Sequence, residues 1–214
     1  MKYRKLVENA KKPKGFWGKM MIKAMNKGHS SLTSWGLEHM NIERTATVLD
    51  IGCGGGKTVD RLCSIVANGK VYGIDYSELS VKSSKKLNSK NILCNKAKIL
   101  QASVSDMPFD DNTFDNITAV ETYYFWPDKE NDVKEVFRVL KQGGTVMLLF
   151  EMLRTDDDPF KWEKVENMLN IKSVTPQEIR SVLESAGFEN INTYTKEGTT
   201  WLCATAQKPK DDEN

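Results

Sequence analysis

The densest chemistry in this chain lies in Val48-Leu49-Asp50-Ile51-Gly52-Cys53-Gly54-Gly55-Gly56-Lys57-Thr58, a short apolar run closed by a carboxylate and followed by glycines. Glycines at such a turn let a ligand approach the backbone and permit positive φ. Two phosphate cradles come close. Gly56-Lys57-Thr58 imitates the end of a P-loop, but G-x-x-x-x-G-K-[ST] needs a glycine where Ile51 stands. The dinucleotide pattern G-x-G-x-x-G, counted from Gly52, ends on Lys57. Asp50 argues against both, because a carboxylate at the mouth of the loop repels pyrophosphate. The pattern D-x-G-x-G-x-G, with Asp50, Gly52, Gly54 and Gly56, suits a nucleoside with a cationic amino-acid tail. Asp75 follows Gly56 by 19 residues at the end of a second apolar run, where an acid accepts hydrogen bonds from ribose hydroxyls.

Other reactive side chains are sparse. His29 sits in a Gly28-His29-Ser30-Ser31 hinge, where a proton acceptor near its ordinary pKa of about 6.5 could work; the plainer reading is a histidine that caps or packs. His39 reads as an exposed helix residue. Tyr123-Tyr124-Phe125-Trp126 is either an apolar pocket wall that stacks on a planar acceptor or packing under the next helix. His29 and Tyr123 are the candidate catalytic side chains. The four cysteines, Cys53, Cys63, Cys94 and Cys203, form no C-x-x-C pair, so no metal site is expected. Cys53, inside the glycine loop, reads as a small buried residue and not a nucleophile.

These residues need elements to hold them. Thr47–Ile51, Lys70–Ile74, Ala97–Ala102, Phe114–Val120 and Thr145–Phe150 read as strands, with helices at about 57–66, 77–87 and 129–140. Such alternation implies a parallel α/β sheet. Thr175-Pro176-Gln177-Glu178 has the form of a capping box with proline at the first helical position. That helix stops at Gly187, and 188–194 and 199–206 read as two antiparallel strands joined near Gly198. Ahead of Thr47, Phe16, Trp17, Met20, Met21, Ala24 and Met25 recur at helical spacing, as do Leu32, Trp35, Leu37 and Met40. Trp17 and Trp35 read as core or lid residues. Ser30 or Ser31 is the expected N-cap of the second of these helices.

At 214 residues and 39% hydrophobic, the chain can bury a proper core. Its longest apolar stretch, Val146–Phe150, is far short of the roughly 20 residues of a membrane span. Residues 1–10 show no secretory pattern, and reduced cysteines in a cytoplasmic setting are expected. A net charge of +2 gives no global reason to expect a polyanionic partner. It hides asymmetry: residues 1–27 carry nine Lys or Arg against Glu8, and residues 82–98 carry six lysines and no acid. The plain reading is solvated faces; the functional one is attraction of an anion or an anionic surface.

In order along the chain, these motifs resemble those of class I S-adenosylmethionine-dependent methyltransferases, of the type 11 kind on the small-molecule branch. VLDIGCGGG resembles the first motif and YGIDYSE the second. ASVSDMPFDDNTFD and EVFRVLKQGGTVML resemble the later segments, so the likeness runs from about Thr47 to Phe150. The resemblance implies a Rossmann-like, doubly wound sheet of about seven strands, mostly parallel with an antiparallel last strand, plus an N-terminal helical lid. It implies S-adenosylmethionine as cofactor and S-adenosylhomocysteine as product. It gives Asp75 the ribose, Tyr76 the adenine face and Glu121 the methionine amino group, with the Cys53 backbone near the methionine carboxylate. Ser103 stands where the family often has an Asp that reaches the adenine amino group. Val104 replaces an Ala but can still meet the adenine edge through its backbone. Gln142 replaces a Pro before Gly143-Gly144.

The expected organisation is a helical cap over 1–45, a cofactor-binding domain over 46–207 and a disordered tail over 208–214. The expected activity is methyl transfer to a small-molecule acceptor by a monomer or homodimer. The loop after the fourth strand lacks [DNS]-P-P-[FY], which argues against a nucleic-acid substrate. Two alternatives remain: a protein or RNA methyltransferase recruited by the basic N-terminal segment, and a non-catalytic cofactor-binding module.

Overall fold

The computed structural model describes residues 13–210. Seven strands, β1 (Thr47–Ile51), β2 (Lys70–Asp75), β3 (Ala97–Gln101), β4 (Phe114–Val120), β5 (Leu140–Phe150), β6 (Glu189–Thr195) and β7 (Leu202–Gln207), form one sheet in the order β3-β2-β1-β4-β5-β7-β6. The first five pair in parallel, and β7 is antiparallel to both neighbours, β5 and β6. The sheet is therefore mixed and doubly wound, as expected. The antiparallel strand is not an edge, however: β7 is inserted between β5 and β6. The chain order reverses between β1 and β4, whose C-terminal ends lie side by side with Leu49 opposite Ile117 and Ile51 opposite Ala119. That reversal opens a crevice where open α/β sheets bind ligands.

Local chemistry sets the helices. After α1 (Gly15–Gly28) and α2 (Ser30–Leu37), α3 (Lys57–Ile65) starts from the glycine loop. Helix α4 (Glu78–Leu87) is capped by Ser77, whose hydroxyl accepts from the Ser80 N–H, and is followed by a short α5 (Ser89–Leu93). Asp128 caps α6 (Lys129–Val139) by accepting from the Asn131 N–H. After α7 (Glu163–Leu169), the Thr175–Glu178 capping box opens α8 (Pro176–Ser185) as expected. The main core is built on the β1, β4 and β5 side chains Leu49, Ile117, Leu148 and Phe150, packed against Val133 and Val136 of α6 and Ile179 of α8.

Four expectations change. Strand β5 begins at Leu140, five residues early, because Leu140 pairs with Phe114 across an irregularity in the β4–β5 ladder. The α2 N-cap is His29, without a side-chain cap bond. The Ser30 hydroxyl and carbonyl are instead held by the Arg61 guanidinium, at 3.0 Å each. His39 is not exposed: its ring stacks on Tyr194 at 4.1 Å and meets the Trp35 edge at 5.0 Å. Lys208 does not belong to a frayed tail. Its buried ammonium donates to the carbonyls of Phe137 and Leu140 and to Asn112 Oδ1. The basic segment 1–12 and the last residues, 211–214, lie outside the described residues. No described helix is long and apolar enough to cross a membrane.

Candidate active site

The chain leaves β1 through Gly52 at φ +67°. A side chain there would meet the Thr122 hydroxyl at 2.2 Å, so both backbone sign and space demand glycine. At Gly54, φ is +51° and a Cβ would find nothing closer than 3.9 Å. That open space is part of a cavity lined by Asp50, Gly52, Cys53, Gly54, Asp75, Tyr76 and Glu121. Helix α1 covers the loop: Asn26 and Ile22 come so close to Gly55 that a Cβ would meet them at 2.3 and 2.6 Å. Ile22, Met25 and Asn26 line the cavity from that side.

The electrostatics here are acidic. Asp75, 8% exposed, accepts from the Gly54 N–H at 2.9 Å and the Ser77 N–H at 2.8 Å. Burial raises its pKa, and those backbone donors oppose the rise. The Ser80 side chain also bonds to Asp75, and since a carboxylate offers about four acceptor sites, one remains for a ribose hydroxyl. Asp50 accepts from Thr118 Oγ1 at 2.8 Å, and burial pushes its pKa up to about 7, with the Asp75 charge adding to the rise. A buried carboxylate raised this far favours a cationic partner. Two buried carboxylates beside an open glycine backbone fit an ammonium and a ribose, and do not fit a polyphosphate.

At the far end, β4 turns out through Glu121, which adopts φ +57° despite its side chain. Its carboxyl accepts from the Glu151 N–H and, at 3.3 Å, from the Tyr124 hydroxyl. Burial pushes its pKa up to about 8, with the Glu151 charge also raising it. Burial raises that of Glu151 too. His29 Nε2 lies 3.9 Å from Glu151 Oε2, and burial lowers the histidine's pKa, so the imidazole is neutral and can accept a proton near pH 7. Ligand-type atoms of His29, Glu121 and Glu151 all lie within 4.8 Å of one another. Sequence spacing gave no sign of this trio, because it joins three distant segments.

Eight of the expected site residues fall into two groups around this cavity: His29 with Glu121, and the loop residues with Asp75 and Tyr76. Cys53 is in the lining, with its thiol buried. Its thiol lies 3.8 Å from Ser84 Oγ, and burial among Asp50 and Asp75 drives its pKa well up. Three expected residues are not brought to the cavity wall. Val104 is buried in the main core, and Ser103 turns its hydroxyl to accept from the Ser105 N–H. Tyr123 is the clearest correction. It is 5% exposed, packs against Trp126 at 5.2 Å and Phe150 at 5.7 Å, and burial raises its pKa to about 12. The turn at Tyr123–Phe125 sends three of the four aromatics into the core and leaves Phe125 on the cavity wall. Missed from sequence were Glu151, Thr122 and Asn26, none of which stands in a recognisable local pattern.

The fold, the loop and the paired acids define an α/β protein that binds a nucleoside with a cationic tail at the crevice of its sheet. The methyltransferase domain family matches residues 49–148. The chain is 30% identical over 181 residues to the ubiquinone/menaquinone biosynthesis C-methyltransferase UbiE of Cronobacter sakazakii, covering 73% of this chain and 72% of that one. It is therefore a member of the class I S-adenosylmethionine-dependent methyltransferases, and S-adenosylmethionine is its cofactor. It is also 27% identical to the uncharacterized methyltransferase YdaC of Bacillus subtilis, covering 85% of this chain and 93% of that one. The chain spans about half or less of the length of several other curated relatives. Among solved structures, the methyltransferase in complex with the Trm112 methyltransferase activator of Haloferax volcanii superposes with a TM-score of 0.74 at 20% identity, covering 88% of this chain and 93% of that one.

Proposed function

We propose that this methyltransferase acts on a small-molecule acceptor that loses a proton as it is methylated, with His29 as the general base. The observation that carries this reading is a half-buried imidazole in the wall of the cofactor cavity, at its Glu121 end and 3.9 Å from the Glu151 carboxylate, with burial holding its pKa down. Helix α1 closes one side of the cavity through Ile22, Met25 and Asn26, and the relative named for quinone biosynthesis supports a small ring compound.

In this proposal Asp50 and Glu121 hold the ammonium end of the cofactor, and Asp75 holds the ribose. Tyr76 flanks the base, and the Gly52–Gly54 backbone lets the ligand approach closely. The cofactor, when bound, supplies a sulfonium methyl group. Arg61 fixes the Ser30 end of the hinge and so orients His29, and Glu151 receives the positive charge that forms on the imidazole when it takes a proton. Phe125 offers an apolar face to the acceptor. Helices α1 and α2 act as a lid that excludes water. The cytoplasm is the proposed setting, because the four cysteines are all free.

The test is transfer of labelled methyl to panels of phenols, quinols, thiols and amines. The proposal expects turnover with one class and a loss in kcat of about 10²-fold or more in His29→Gln, with KM little changed. Its pH profile should lose a limb centred below 6.5. Cofactor binding without turnover on any class would favour the non-catalytic module.

A further inference from the structure

One face of α1 brings exposed apolar and basic side chains together. Phe16 is 70% exposed and Met20 43% exposed, one turn apart on α1. Lys19 and Lys23 are exposed and fall on the same strip, three and seven residues after Phe16. The half-buried Trp17 sets its ring edge-on to Phe16 at 5.8 Å. Residues 13–28 contain no acid. The opposite face, through Gly18 and Ile22, is buried against α4 and the glycine loop, so the strip faces solvent because of how the helix is seated. Neighbouring α4 ends in exposed Lys85, Lys86 and Leu87, which continues the same mixture.

We propose that this face of α1 docks the protein onto an anionic lipid surface, with Phe16 and Met20 entering the headgroup layer and Lys19 and Lys23 meeting lipid phosphates. A purely electrostatic partner such as RNA needs the lysines and gains nothing from an exposed phenylalanine and methionine between them. A protein groove would take the apolar pair but does not call for a helix face free of acids. Apolar and basic side chains interleaved on one helical face match the headgroup boundary. Because the same helix lines the cofactor cavity through Ile22 and Met25, docking sets the cavity beside the lipid phase. The proposal is independent of the acceptor assignment.

The test is co-sedimentation of the full chain with vesicles of phosphatidylcholine alone and with phosphatidylglycerol added, at low and physiological salt. Binding should require phosphatidylglycerol and weaken with salt. Lys19→Ala/Lys23→Ala should lower the partition coefficient roughly 30-fold, about fivefold for each lysine. Phe16→Ser/Met20→Ser should lower it on the order of tenfold or more. Unchanged circular dichroism and unfolding temperature show that each variant is folded. The proposal is overturned if phosphatidylglycerol vesicles are not bound at low salt. It is also overturned if both variants bind as the parent does, or if the chain retains RNA but not vesicles.

Discussion

Replacing Glu121 with glutamine should stabilise the ligand-free protein in alkaline solution. In the folded chain burial raises this carboxyl from 4.5 to about 8. Between those values the folded state holds a proton that the unfolded state has released, so stability falls as pH rises through the interval. Above pH 8 the folded state carries the whole cost of a buried charge. At about 1.4 kcal/mol per pH unit the gap is worth on the order of 3–5 kcal/mol, the lower figure allowing for the part of the side chain that faces water in the cavity. Glutamine is neutral throughout and can accept the same bonds from the Glu151 N–H and the Tyr124 hydroxyl. Its amide hydrogens face His29 and the Glu151 carboxylate, which can accept them. For a chain of this length each kcal/mol moves Tm by about 2–4 °C. The variant should therefore melt roughly 10 °C above the parent at pH 9, with the difference nearly gone at pH 5. Scanning fluorimetry at fixed ionic strength from pH 5 to 9 gives both curves. Asp50 titrates in the same range, so the quantity to follow is the difference between the curves. Parallel curves, or a variant less stable at pH 9, would refute the burial argument. The same variant should bind the cofactor more weakly if Glu121 holds its ammonium.

Other outcomes can be checked directly. Asp75→Ala should abolish cofactor binding by calorimetry, and unchanged affinity would remove the ribose role. Gly52→Ala places a Cβ 2.2 Å from the Thr122 hydroxyl on a positive-φ backbone and should cost about 2 kcal/mol or more, seen as a Tm drop of roughly 5 °C. Lys208→Met strands two buried carbonyls and should cost about 2–4 kcal/mol by urea unfolding; a loss under about 0.5 kcal/mol would show that the C-terminal clamp is superficial. Tyr123→Phe should leave methyl transfer unchanged, because Tyr123 is buried in the core and does not line the cavity; a large fall in kcat would restore its catalytic role.

What the sequence shows well is what a few adjacent residues decide. The glycine loop, the end-of-strand Asp75, the Thr175–Glu178 capping box and the alternation of strands with helices all depend on neighbours within a turn or two. The departures arise where distant segments meet. Periodicity could not place β7 inside the sheet, because pairing partners are chosen by ladder geometry and not by the strand's own residues. Tyr123 looked exposed to an acceptor because four aromatics cannot all face inward in a regular strand, yet a single 3-10 turn buries three of them. His29 was found from its hinge. Glu151, its partner, directly follows β5, more than a hundred residues away, with nothing local to mark it. Lys208 reads as part of a polar tail until Phe137 and Leu140 present their carbonyls.

The insertion of β7 between β5 and β6 bears on how the protein is made. Strands β1 to β4 can pair in the order in which they leave the ribosome, each new strand joining one already in place. Among the described residues β6 has no strand to pair with when it emerges, since its ladder partner, β7, is still unsynthesised, and β5 waits with one side open. Strand β7 thus closes two ladders at once. Until it arrives, the nascent chain presents bare strand edges, the surfaces on which chaperones and misfolding compete.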